Sequence, residues 1–324
     1  MNGRERMLTT LAGGQPADQV PLWELEFHLW NRYSRYPIVL GKEFAKLTPA
    51  EQEIALDRNA ELMAGVSLQL GFNAVTAPAW YWETSPGQPA YFWLPDEARI
   101  RFLPKLRAAA GDALCVIGHA GGMIMPPTDR YVEFAYEMYD EPERVDTWAQ
   151  ETLRTGLEQV KQAQDAGIEV VVAPCDIADN HGVYFTPAQL ERFWLPYLVE
   201  WSRRVKAMGM YSILHSDGNL TSVLDSLART DLHAIQAIDP VAGMDLVAVK
   251  EQVGSRLCLC GNIDCGLLQF GPAEKIYEAT RDVCLAGKPG GGFVLGGSNA
   301  IFTEIPQEHY EAMLAAWRDY GRYD

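Results

Sequence analysis

Short apolar runs alternate with helix-length segments along most of this chain, and that alternation restricts the fold more than any other feature. Eight strand-like runs can be picked out, at residues 21–25, 73–78, 114–119, 169–175, 211–215, 233–238, 257–263 and 292–297. Strand runs separated by stretches of 3.6-residue periodicity imply parallel strands joined by helical crossovers. The second half is the most regular. Thr186 followed by Pro187 predicts a helix start, with Thr186 as N-cap, and Met208-Gly209 predicts its end near Lys206. Further helices are expected over 220–228, 245–253, 272–285 and 306–320. Eight such units close into an α/β fold of the (β/α)8 TIM-barrel type. An open doubly wound sheet is the alternative. It would carry a glycine-rich phosphate fingerprint after its first strand, and residues 26–48 hold none.

Length and composition agree with one domain over residues 1–324. Hydrophobic residues make up 48% and charged residues 22%, enough apolar material for a large core without disulfide staples. The formal net charge of −16 argues against nucleic acid as the main partner, because phosphate binding needs a basic stripe. The N-terminal stretch lacks the apolar heart of a signal peptide, and no run of about 18 apolar residues predicts a membrane span. Scattered cysteines at 115, 175, 258, 260, 265 and 284 read as reduced, mostly buried thiols, so a cytoplasmic protein is expected.

In such barrels chemistry sits at the C-terminal ends of the strands. Strand one ends in Glu24, Glu26 and His28, strand two near Trp80 and Tyr81, and strand three in His119. Strand four ends in Cys175, Asp176 and Asp179, followed by His181. Strand five ends in His215 and Asp217, and strand six in Asp239. Strand seven ends in Asn262 and Asp264, and strand eight in Ser298 and Asn299. This concentration of titratable and hydrogen-bonding groups predicts a ligand site, although Asp264 can equally cap a helix and Asp239, before Pro240, can simply turn the chain. The His215-x-Asp217 pair can ligate a divalent metal, or work as an acid and base with the carboxylate fixing the imidazole. Two long aromatic-rich connections, 26–48 and 80–104, would lie over the same face. There Trp80-Tyr81-Trp82-Glu83 and Tyr91-Phe92-Trp93 would form a lid or pocket wall.

Several ordered motifs then resemble the uroporphyrinogen decarboxylase superfamily. They are Asp176-Ile177-Ala178 with Tyr184-Phe185-Thr186-Pro187, His215-Ser216-Asp217-Gly218-Asn219, Pro240 through Asp245, Cys260-Gly261-Asn262-Ile263-Asp264, the Gly290-Gly291-Gly292-Phe293-Val294 turn, and Ile305-Pro306 with its helix. The resemblance covers nearly the whole chain and is strongest from about residue 170. It implies a TIM barrel and one of two activities: decarboxylation of uroporphyrinogen without a cofactor, or methyl transfer to or from a corrinoid, often with zinc.

Departures from the family pattern separate the two. The decarboxylases carry an arginine-rich clamp after strand one for a polycarboxylate substrate, where this chain reads Trp23-Glu24-Leu25-Glu26-Phe27-His28. The zinc-thiol methyltransferases bind metal through a His-x-Cys pair and a late cysteine, where this chain has His215-x-Asp217 and Asn299. Without the thiolates, thiol activation is disfavoured, and two readings stay open: a harder, oxygen-rich metal site completed by a carboxylate such as Glu24 or Glu26, or metal-free acid–base chemistry by His215 and Asp176. The resemblance then points to a donor-side methyltransferase or demethylase. It would take a methyl group from a small O- or N-methyl compound and hand it to a corrinoid on a partner protein. In this reading His215, His119, Asp176 and Asp239 activate the leaving group. Glu24, Glu26, Trp80, Tyr81, Asn262, Asp264 and Asn299 bind substrate, the two glutamates and the aromatic residues holding a cationic head group such as a quaternary amine, or equally the aromatics stacking on a methoxylated ring. A lyase on a carboxylic acid and a non-catalytic small-molecule binder are the alternatives. The resemblance also implies a homodimer.

Overall fold

A computed structural model describes residues 1–79, 92–126 and 130–323. Its main sheet is parallel throughout, in the order β1 (Ala74–Thr76), β2 (Cys115–His119), β3 (Val170–Pro174), β6 (Tyr211–His215), β7 (Ala234–Ala237), β8 (Cys258–Ile263) and β9 (Phe293–Gly297). A small antiparallel hairpin of β4 (Ala178–Asp179) and β5 (Gly182–Val183) rises from the loop after β3. The seven strands fall inside the expected runs, and helices separate neighbouring strands of the main sheet.

The eighth stave is the segment around Leu22. It bridges in parallel to Leu295, and Trp23 N–H donates to Leu295 O while Leu295 N–H donates to Pro21 O. On its other side the side chain of Asn73 replaces a regular ladder. Asn73 Oδ1 accepts from Leu22 N–H, and Asn73 N–H donates to Leu22 O, each at 2.8 Å. Pro21 has no N–H to offer, so this stave pairs through a few bonds and forms no extended strand. It nonetheless links β9 to β1 and closes the barrel.

Strand alternation separates two apolar layers. Trp23, Leu25, Ala74, Cys115, Ile117, Val170, Val172, Ile213, Ala234, Cys258, Cys260 and Val294 pack together inside the barrel. The helix Gly3–Leu11, held by an Asn2–Glu5 capping box, plugs the lower end with Met7 and Leu11. The intervening strand residues, among them Leu22, Val116, Val171, Leu214, Ile235, Leu259 and Leu295, pack outward against the helices.

Two helices differ from the expected spans. The helix begun by the Thr186–Gln189 capping box loosens into a π-turn at Leu190–Trp194 before resuming as Leu195–Ala207. Pro196 cannot supply an N–H to the preceding turn, which accounts for the break in regular bonding there. The 220–228 segment shrinks to a 3-10 turn, Thr221–Val223, and one α-turn, Leu224–Leu227. Among the described residues, no helix is long and apolar enough to cross a membrane.

Candidate active site

The inward rows of the strands end in polar groups. His119 follows Cys115 and Ile117 on β2, and His215 follows Ile213 on β6. Gln236 follows Ala234 on β7, and Asn262 follows Cys258 and Cys260 on β8. All four are nearly or fully buried. An apolar barrel interior is thus roofed by a polar layer at the C-terminal ends of its strands.

His215 is oriented by Gln236. The Gln236 Nε2 donates to Gly297 O at 3.1 Å and Ser298 O at 3.3 Å, which fixes the amide and aims its Oε1 at His215 Nδ1, 2.5 Å away. An amide oxygen only accepts, so Nδ1 carries the hydrogen and the Nε2 lone pair faces the mouth. There it meets Asp176 Oδ1 at 3.6 Å and Asp217 Oδ1 at 3.9 Å. Three acceptors turned on one point require either a proton on Nε2 or a cation between them.

Local bonds fix both carboxylates. Asp176 Oδ1 accepts from Asp217 N–H at 3.0 Å, tying the β3 loop to the β6 loop. Ser216 Oγ supports the same junction by accepting from Ile177 N–H. Asp217 Oδ2 accepts from Asn299 Nδ2, and Asn299 Oδ1 is itself held by Ala300 N–H. Burial pushes the Asp217 carboxyl up to about 6, against the pull of His215 and with the repulsion of Asp176 and Asp239. His119 is driven down to about 3 by burial, with Arg99 and His215 adding repulsion, so it is neutral at physiological pH.

Ligand atoms of Asp176, His215 and Asp217 lie within 4.8 Å of one another. One imidazole nitrogen with a fixed tautomer and two carboxylates fit a divalent metal such as zinc, and the Gln236 bond is the kind of outer contact that orients a ligating histidine. The expected third ligand is corrected here. Asp176 stands beside His215 and Asp217, whereas Glu24 and Glu26 have other partners.

Glu24 shares the outward row of its stave with Leu22. Its two oxygens accept from Gly297 N–H and Tyr310 O–H, each at 2.8 Å. Burial raises its carboxyl to about 8 against those two bonds. Glu24 therefore belongs to the barrel wall, behind the mouth. Glu26 Oε2 lies 3.1 Å from His28 Nε2, and Phe92 and Phe302 flank the His28 ring. Asp264 is the N-cap of the helix Cys265–Phe270. Asp239 accepts from Gly218 N–H and Val241 N–H, which is the turn-forming role left open by the sequence. Trp80 and Tyr81, with the proposed lid around them, lie outside the described residues.

Two details went unnoticed in the sequence. Gln236, a single amide in the apolar run 233–238, was the available sign of the His215 support. Ile238 adopts φ +52°, a left-handed conformation costing a β-branched residue about 1–3 kcal/mol, and its carbonyl accepts from Asn262 Nδ2 at 3.0 Å. A cavity of about 730 Å³ opens at the opposite end of the barrel, beside His233 and Arg256, and contains none of these strand-end groups.

The uroporphyrinogen decarboxylase (URO-D) family profile matches residues 103–320, about two thirds of the chain. Curated uroporphyrinogen decarboxylases of Salinibacter ruber and Coxiella burnetii are 27% identical over 194 residues and 25% identical over 187. Each match takes in 57% of this chain and 50% of the relative, so the chain spans about half the length of the curated relatives it matches. A solved methyltransferase from Methanosarcina mazei superposes with a TM-score of 0.67 at 19% identity, over 99% of both chains, and shows the same fold.

Proposed function

The chain belongs to the uroporphyrinogen decarboxylase family, and from that premise we propose that it transfers a methyl group from a small O- or N-methyl compound to a corrinoid carried by a partner protein. One observation carries the choice within the family. The segments following β3, β6, β7, β8 and β9, residues 175–186, 216–220, 238–245, 264–266 and 298–304, contain Asp176, Asp179, Asp217, Asp239, Asp245, Asp264 and Glu304 but no lysine or arginine. A polycarboxylate substrate would be repelled there, while a neutral or cationic methyl donor would be accepted.

The chain's own residues have roles that do not depend on the acceptor. His215 Nε2 can hold a proton against the leaving oxygen or nitrogen, with Asp176 and Asp217 stabilising the imidazolium. His119, neutral and buried beside it, supplies polar lining without a competing charge. A divalent metal, if bound, would be held by His215, Asp176 and Asp217 and would supply Lewis-acid polarisation of the leaving group. A corrinoid presented by its carrier protein would supply the nucleophile.

The test is methylation of reduced cobalamin, followed by visible absorbance, with a panel of methyl ethers and methylamines and with corrinoid both free and bound to its carrier protein. Donor-dependent methylation, reduced roughly 10²-fold or more in His215→Ala, is expected. No methylation with any donor would refute the proposal, and carbon dioxide release from a carboxylic acid would establish the lyase reading in its place.

A further inference from the structure

Asn262 is 6% exposed and projects on the inward row of β8, above Cys258 and Cys260. Its amide cannot turn freely. Nδ2 donates to the carbonyl of Ile238, whose left-handed backbone presents that oxygen to it. Flipping the amide would set oxygen against oxygen, so Oδ1 is committed as an acceptor. That oxygen is buried and receives no hydrogen bond among the described residues. Native interiors leave few such oxygens unsatisfied, and a water, an ion or a ligand group commonly completes one that opens towards a site.

The surroundings determine what can satisfy it. Asp176 and Asp217 are acceptors too, and the loops after β3, β6, β7, β8 and β9 contain carboxylates without lysine or arginine, the arginines of this end standing elsewhere, at Arg32, Arg35 and Arg130. A ligand in this mouth is favoured if it carries positive charge and a hydrogen to donate.

We propose that Asn262 Oδ1 is a specificity determinant that accepts a hydrogen bond from a protonated amine, so that the site selects methylammonium compounds bearing an N–H over quaternary ammonium compounds that have none. This rests on the proposed function only in taking a methylated compound as the ligand. The N–H provides direction, since a donor on Oδ1 turns the N-methyl groups away from β8, while the carboxylates supply the attraction common to both kinds of cation.

The experiment is calorimetric titration of the protein at neutral pH with trimethylammonium, with tetramethylammonium, and with 2-methoxyethanol as a neutral O–H donor. The wild type should bind trimethylammonium about tenfold or more tightly than tetramethylammonium, because a site built to receive a donor discriminates against the analogue lacking it. In Asn262→Leu, shown to be folded by its circular dichroism melt, the two cations should bind within about twofold of each other. Equal affinities in the wild type overturn the proposal without recourse to any variant. So do absence of binding by both cations, a preference that survives in folded Asn262→Leu, or tighter binding of 2-methoxyethanol than of trimethylammonium. No corrinoid enters this titration. Failed methyl transfer with the N–H preference intact would remove the proposed function and spare this inference, and methyl transfer without the preference would do the reverse.

Discussion

Gln236 holds His215 by its Nδ1 and turns the Nε2 lone pair towards Asp176 and Asp217. Two backbone carbonyls of the β9 loop fix the Gln236 amide, so the orientation of the imidazole is set by the barrel wall. Outer partners of this kind typically contribute about 10–100-fold to metal affinity. Gln236→Leu should therefore weaken zinc binding by that factor while leaving the fold intact, and His215→Ala should abolish stoichiometric binding. Metal analysis after dialysis, with competition against a chromogenic chelator, measures both. Undiminished affinity in Gln236→Leu would show that the imidazole needs no such support.

Metal binding should also depend on pH in a defined direction. A carboxylate ligand must shed its proton, and burial holds Asp217 up to about 6. The contribution of Asp217 should be constant above that value and fall as the pH drops through it, by up to about tenfold per pH unit for its one proton, in addition to whatever His215 and Asp176 contribute. Chelator competition between pH 5 and 8 reads the curve. In Asp217→Asn affinity should be lower at every pH, and its dependence on pH should be shallower by the one proton that Asp217 would release, leaving the part contributed by His215 and Asp176.

Glu24 gives a stability effect independent of the mouth. Its folded-state value of about 8 lies above the usual 4.5, so the native protein holds this proton more tightly than the unfolded chain. The stabilisation is complete below about 4.5, shrinks as the pH rises and is lost by about 8, an effect on the order of a few kcal/mol. Glu24→Gln can still accept from Gly297 N–H and reach Tyr310, and it does not titrate. Urea denaturation from pH 5 to 9 should show wild-type stability declining and the variant flatter across the same interval. Parallel profiles would mean that Glu24 is ionised in the fold without cost.

The barrel was legible because its parallel strands are buried on both faces and read as continuous apolar runs between helical segments. The closing stave was less so, since its pairing depends on the side chain of Asn73, a long-range bond that no local pattern announces. At the mouth, His215, Asp176, Asp217 and Asn299 come together because each stands at or just past a strand end. Glu24 faces away from the site expected of it. The alternation that places Trp23 and Leu25 inside the barrel sends Glu24 out towards Tyr310, and periodicity fixes which residues share a face without saying which face is the mouth. Asp239 accepts backbone hydrogen bonds at a turn and Asp264 caps a helix, local roles the sequence had left open beside the site roles expected of them.

Closure of the barrel depends on a glycine. At Gly296 a Cβ would stand 2.1 Å from Trp23 O and 3.2 Å from Glu24 Oε2, at the seam where the first stave meets β9. The nearest atom is backbone and cannot swing aside, so Gly296→Ala must push the stave away and strain the bonds between Trp23, Pro21 and Leu295. Overpacking of this kind costs about 1–3 kcal/mol, and more where backbone must shift. Gly65 is the contrasting case. It is exposed within the helix Pro49–Leu70, with nothing within 4 Å of an added Cβ. Gly65→Ala should raise stability by about 0.5–1 kcal/mol through helix propensity alone. Chemical denaturation of both variants under one buffer condition tests the seam directly. If Gly296→Ala were as stable as wild type, the close approach of Trp23 to β9 would not be what shuts the barrel.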